Sequence, residues 1–156
     1  MPMFAWLSEF RRSPRGAAAV EFALLLPLLL IMLVGMVEFG RAISQSNALE
    51  RGLRAGASFA ARSDIPFDAT TEQRIDNLVR TGGLSGDAPL LVSGWADPSA
   101  TLTITTTTFT VGANEVPLIR LEGSVPLDPL LPGLLAAVGL EDFNLSAVHE
   151  QAYIGN

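Results

Sequence analysis

The sequence predicts an α+β protein: a long N-terminal helix, its first half in a membrane, packed on a small antiparallel β-sheet. Three observations point there. Residues 17–37 form an apolar run broken in charge only by Glu21. Helical patterning then continues to about Arg62 without a proline, and a β-branched run, TLTITTTTFTV, follows at Thr101–Val111. The 156 residues suit about one domain, and those outside the apolar run are enough for a modest core.

The N-terminal helix comes first. A helix rises about 1.5 Å per residue, so Ala17–Val37 spans about 30 Å, the thickness of a bilayer's hydrocarbon core. Arg11, Arg12 and Arg15 crowd just before it. By the positive-inside rule they keep residues 1–16 in the cytoplasm and send the rest of the chain outward. A secretory signal removed after its apolar region fits poorly, because the run is long and continues into Glu38-Phe39-Gly40-Arg41 with no small-residue cleavage site. Pro27 removes a backbone N–H and predicts a modest kink.

Gly16 stands between Arg15 and Ala17-Ala18-Ala19-Val20-Glu21-Phe22. This arrangement resembles the recognition site of a prepilin peptidase, which cuts after the glycine and before the hydrophobic segment. Glycine, with no Cβ, lets the backbone lie extended in a protease site at the membrane surface. Such a cut makes Ala17 the N-terminus and Glu21 the fifth residue. A carboxylate in lipid is costly. At headgroup depth, however, Glu21 near the start of a helix is favoured by the macrodipole.

From Glu38 to Arg62 the helix is expected to continue outside the membrane. Glu50 and Arg54 are spaced to pair. Ala48, Gly52, Gly56 and Ala60 form a small-residue ridge for close packing, against the chain's own sheet in preference to another subunit. Phe39, Ile43, Leu53 and Phe59 are the expected apolar anchors. Residues 63–156 form the small outer domain. Pro66 ends the stem, and Asp68 and its neighbours supply caps for a helix at about Thr71–Arg80. A Gly/Pro-rich connection follows, with a short strand expected near Leu90–Val92.

Thr101–Val111 is a strand. Its apolar parity switches between Leu102/Ile104 and Phe109/Val111, which a bulge or a change of buried face near Thr106 would reconcile. Gly112-Ala113-Asn114 suits a hairpin loop. A second strand is expected at Glu115–Val125, with Ile119, Leu121 and Val125 on one face. Asp128 and Pro129 suit the start of a helix running to about Val138, and Phe143–Tyr153 a last strand. The apolar Leu134-Leu135-Val138 face is expected in the core, with the membrane surface as the alternative.

Composition argues against several functions. A net charge of −6 does not suit nucleic-acid binding. With no cysteine there is no thiolate chemistry. His149 is the single histidine and lacks an obvious partner, and Gly83-Leu84-Ser85-Gly86 departs from a nucleophile elbow. Asp64, Asp68, Glu72 and Asp76 lack the calcium-loop pattern. No metal ligands, cofactor site or catalytic residues are expected.

The residues Arg15-Gly16-Ala17-Ala18-Ala19-Val20-Glu21-Phe22-Ala23-Leu24-Leu25, Glu38-Phe39-Gly40-Arg41, Asn47-Ala48-Leu49 and Arg54-Ala55-Gly56-Ala57 together resemble the TadE-like family, minor pilins or pseudopilins of tight-adherence pilus systems. The resemblance implies a pilin-like, non-enzymatic protein of the bacterial inner membrane, cut after Gly16. In pilin-like proteins the residue matching Glu21, followed here by Phe22, pairs with the N-terminal amine of a neighbour. Implied partners are a prepilin peptidase, other pilin subunits, the pilus assembly machinery and the lipid bilayer. The alternative is a signal-anchored extracytoplasmic binding domain without processing.

Overall fold

A single helix, α1, runs from Pro14 to Ala60. The computed structural model describes residues 14–112, 114–137, 139 and 143–155. Arg11 and Arg12 lie outside them. Proline at the first helical position loses nothing, since its N–H would have no intrahelical partner. Pro27 lies within the helix. The chain divides into two compact units, Met1–Phe39 and Gly40–Asn156, each described by itself.

In the first unit, α1 exposes Val20, Phe22, Leu24–Leu26, Leu28–Leu33, Met36 and Val37. Apolar residues on all sides make it long and apolar enough to cross a membrane.

The second unit is a helix-on-sheet layer with an antiparallel sheet of order β1-β2-β3, giving the α+β layout. From α1 it buries Ala48, Leu49, Leu53, Ala57 and Ala60. This stripe at helical spacing meets Ile119, Leu121 and Val125 of the sheet in one core. Phe39 and Ile43 do not anchor it: they are 70% and 47% exposed. Leu53 is fully buried and Phe59 packs at the margin. Glu50 and Arg54 are both exposed, and no ion pair joins them. Two long side chains in water gain little by pairing.

The stem ends two residues earlier than expected, and Arg62 N–H and Ser63 N–H close its last turn onto Phe59 and Ala60 carbonyls. Helix α2, Ala69–Thr81, starts at Asp68, whose carboxylate accepts the Thr71 N–H at 2.7 Å. It stops at Gly82, in the left-handed region at φ 76. Ile75 and Val79 are its buried face. Residues 90–92 form no strand. Leu91 N–H bonds back to Arg80 C=O at 2.7 Å, and a 3-10 turn at Ser93–Ala96 buries Trp95. The apolar run there is used up by this return to α2.

Strand β1 is Thr101–Val111 and β2 is Asn114–Pro126. Their register is unbroken from Thr101↔Ser124 to Val111↔Asn114, with Gly112 at φ 66 in the turn. Thus no bulge forms at Thr106. Leu102 and Ile104 lean on the core, while Thr106, Thr108 and Thr110 of the same parity are exposed, as is Phe109 opposite. The parity switch marks where β1 outruns the covering layer. Strand β3, Asn144–Ala152, pairs with β2. Tyr153 N–H donates to Pro117 C=O at 2.9 Å, but Pro117 has no N–H to return, so the ladder ends there.

Helix α3 is Pro132–Ala137, shorter than expected, and starts at Pro132 instead of Pro129. Val138 lies outside the described residues. Asp128 is not its cap, for reasons given next.

Candidate functional site

The N-terminal face of α1 gathers the residues singled out for processing and assembly. Gly16 lies in the first helical turn with Ala17 beside it. The bond between them is helical here, whereas a protease site takes an extended peptide. First turns fray readily because their N–H groups have no intrahelical partner. Arg15 is in the same turn. Glu21 follows in the next turns, exposed between Val20 and Phe22, which are 53% and 59% exposed. Among the described residues no cation pairs with the Glu21 carboxylate. It is an anion standing on an apolar surface, an arrangement that lipid disfavours unless a cation joins it.

The small-residue ridge sits elsewhere and is occupied within the chain. A Cβ built on Gly52 would collide with the Val79 carbonyl oxygen of α2. One on Gly56 would stand 2.5 Å from Val79 Cγ2 and 3.0 Å from Leu121 Cδ2. Ala48 and Ala60 are buried on the same side. The ridge lets α1 lie against both α2 and the sheet, and so serves the packing of its own domain.

Two features escaped the sequence reading. Asp128 binds the stem: its C=O accepts from Gln45 Nε2 at 2.9 Å and Arg41 Nη2 at 3.2 Å, and its N–H donates to Gln45 Oε1 at 3.3 Å. Its carboxylate accepts Ser93 Oγ–H at 2.7 Å and lies 3.9 Å from Arg41 Nη2. That use of Asp128 displaces the expected capping role. The available signal was Arg41 and Gln45 at i, i+4 spacing on one helix face. The second feature is Trp95, buried under the Arg80 guanidinium at 4.7 Å from its ring centroid. Arg80 also holds Asp76 at 2.8 Å and the Trp95 C=O at 3.3 Å.

Electrostatics on the outer domain are those of caps and exposed pairs. Hydrogen bonds from Thr71, its side chain foremost and then its N–H, hold the Asp68 carboxyl below its ordinary value. Ser99 does the same for Asp97 through its hydroxyl and then its N–H. Arg120 pairs with Glu150 at 2.8 Å and Glu122 at 3.3 Å across the sheet surface. Among the described residues, no three His, Cys, Asp or Glu side chains gather as metal ligands. His149 lies in β3 opposite Leu121.

Residues 16–58 match the family model described as TadE-like protein. The match begins at Gly16 and stays within α1, so the likeness to that family is over the stem, and the sheet lies beyond the matched range. Comparison with curated proteins and with solved structures gives no match.

Proposed function

We propose, from the TadE-like stem over residues 16–58, that this protein is a minor pilin or pseudopilin. It acts as a membrane-anchored, non-enzymatic component of tight-adherence pilus assembly. Residues 1–16 are the leader, held in the cytoplasm by Arg11, Arg12 and Arg15; residues 17–37 cross the inner membrane; residues 38–156 stand outside it. A prepilin peptidase cuts between Gly16 and Ala17. The new Ala17 amine then carries a positive charge at the edge of the apolar helix, and Glu21 of a neighbouring subunit is its counter-charge. Pairing lets both charges sit at the membrane together, where each alone is costly.

The observation that carries this reading is Glu21 itself: an exposed carboxylate on an apolar helix with no cation beside it among the described residues. The unprocessed, signal-anchored reading draws on one observation, the continuous helix through Gly16 and Ala17. Substitution at Glu21 separates them. Glu21→Leu makes the span more apolar, so membrane insertion is retained. On the pilus reading, co-assembly with other subunits, read by crosslinking and by piliation, is lost while cleavage after Gly16 proceeds. A Glu21→Leu protein that still assembles and supports piliation contradicts the assigned role.

A further inference from the structure

On one side the sheet ends in β1, which pairs with β2 alone. Tyr153 N–H donates to Pro117 C=O at 2.9 Å, so Pro117 turns its backbone toward β3. Backbone direction alternates along an antiparallel strand. Leu118 and Arg120 therefore turn theirs toward β1, where their partners are Thr107 and Thr105. The other parity of β1 is Leu102, Ile104, Thr106, Thr108 and Thr110. It directs its N–H and C=O groups away from the sheet, and among the described residues no backbone group bonds to them there. Proteins ordinarily blunt such an edge with a charge, a proline, a bulge or a cover. Over its 11 residues β1 carries no charge and no proline, its register is unbroken, and residues 105–110 are exposed.

We infer that β1 is a self-pairing edge: it joins β1 of a second copy of this chain, antiparallel, across a two-fold axis at Thr106, and makes one continuous sheet. The inference rests on the outer unit alone. A centre at Thr106 is the register that uses every outward-directed residue. Thr106 exchanges both backbone bonds with Thr106 of the second copy, Ile104 with Thr108, and Leu102 with Thr110. The occupant is a copy because two chains of net charge −6 meet with least repulsion along a strip where neither carries charge. At the two-fold centre a residue faces itself, and threonine pairs well with threonine there, whereas any charged residue repels its own copy. The half of β1 that outruns the covering layer also meets the covered half of the second strand, since Thr108 and Thr110 lie beside Ile104 and Leu102. On the opposite face Phe109, 41% exposed, comes to lie across from Thr103. The other edge of the sheet, β3, carries Glu150.

A single edge pairing is a small interface, so the dimer is weak and forms as the chain is concentrated. The chain has no cysteine, so Thr106→Cys, Thr110→Cys and Ser146→Cys each place one thiol in the full chain, held in detergent micelles and mildly oxidised. Directly opposed Cα atoms lie about 5.5 Å apart, within disulfide reach. In this register Thr110 faces Leu102 and is about 27 Å from the second Thr110. Ser146 is exposed on β3, at the other edge. The inference expects a disulfide dimer from Thr106→Cys several-fold faster than from either other variant. In the native chain, amide exchange at Ile104, Thr106 and Thr108 slows several-fold on concentration to about 1 mM. Thr106→Lys sets two cations face to face and releases that protection, while inward-bonded Thr105 stays protected. No dimer from Thr106→Cys, or equal crosslinking at all three positions as random collision gives, overturns the inference. Outward amides that exchange freely at every concentration overturn it too. A Thr106→Cys thiol that crosslinks in cell membranes to another protein, and not to its own copy, assigns the edge to a foreign strand and also overturns it.

Discussion

Where a methyl group is missing, α1 reaches its neighbours. Gly52 and Gly56 face the Val79 turn of α2, and Gly56 also meets Leu121 of β2. Adding one carbon forces that backbone or those side chains to move, and overpacking of this kind costs about 1–3 kcal/mol. Gly56→Ala is therefore expected to lower the unfolding midpoint of the outer domain, measured by urea titration in detergent; an unchanged midpoint means the contact yields freely. At the other end of α2, Asp68 is an exposed cap with a lowered pKa. A group whose pKa falls on folding stabilises while it is ionised. That contribution is complete above the ordinary value of 3.8 and is lost as pH falls through the lower folded value. Asp68→Asn keeps an N-cap acceptor without a titrating charge. It should remove this acid-dependent loss of α2, followed by amide exchange at Thr71 from pH 5 downwards. Persistence of the same acid dependence in the variant would assign it to another group.

Single elements show which signals in a sequence suffice. Thr101–Val111 was legible to the residue because β-branched residues and the Gly112 turn act locally. The choice between a bulge and a change of buried face near Thr106 was not, because the parity of Phe109 depends on where the covering layer stops. Two prolines, Pro129 and Pro132, both satisfied the rule for a first helical residue. The choice of Pro132 was decided by Gln45 and Arg41, 83 and 87 positions from Asp128. No local pattern reports such bonds. Trp95 was hidden for the same reason: a 3-10 turn in a Gly- and Pro-rich connection has no apolar period, and its cover is Arg80 from α2. The Gln45 latch makes a prediction of its own. Gln45→Ala removes two exposed hydrogen bonds, worth about 0.5–1.5 kcal/mol each. It should speed hydrogen exchange at the Asp128 amide several-fold while leaving the β1–β2 ladder protected. Equal protection in both proteins would show that the latch does not hold the segment.

Across the whole molecule, the N-terminal stretch was the easiest part to read and the least explained by one chain. Its length, its apolar surface and the Gly16–Glu21 spacing are all local properties of the sequence. On the proposed function they serve a peptidase and a second subunit, neither of which a single chain contains. The structure adds two physical facts. Among the described residues Glu21 stands exposed with no cation paired to it, and the small-residue ridge is packed against α2 and the sheet of its own domain. On the proposed function, assembly through residues 17–37 requires the leader to be gone, because only then does an amine exist at Ala17 for Glu21 to meet. The most direct measurement is the N-terminal sequence of the protein extracted from membranes of cells that hold an active prepilin peptidase, beside a Gly16→Leu variant. The account predicts a terminus at Ala17 in the first and an unprocessed leader in the second. A leader intact through Gly16 in the first would contradict it.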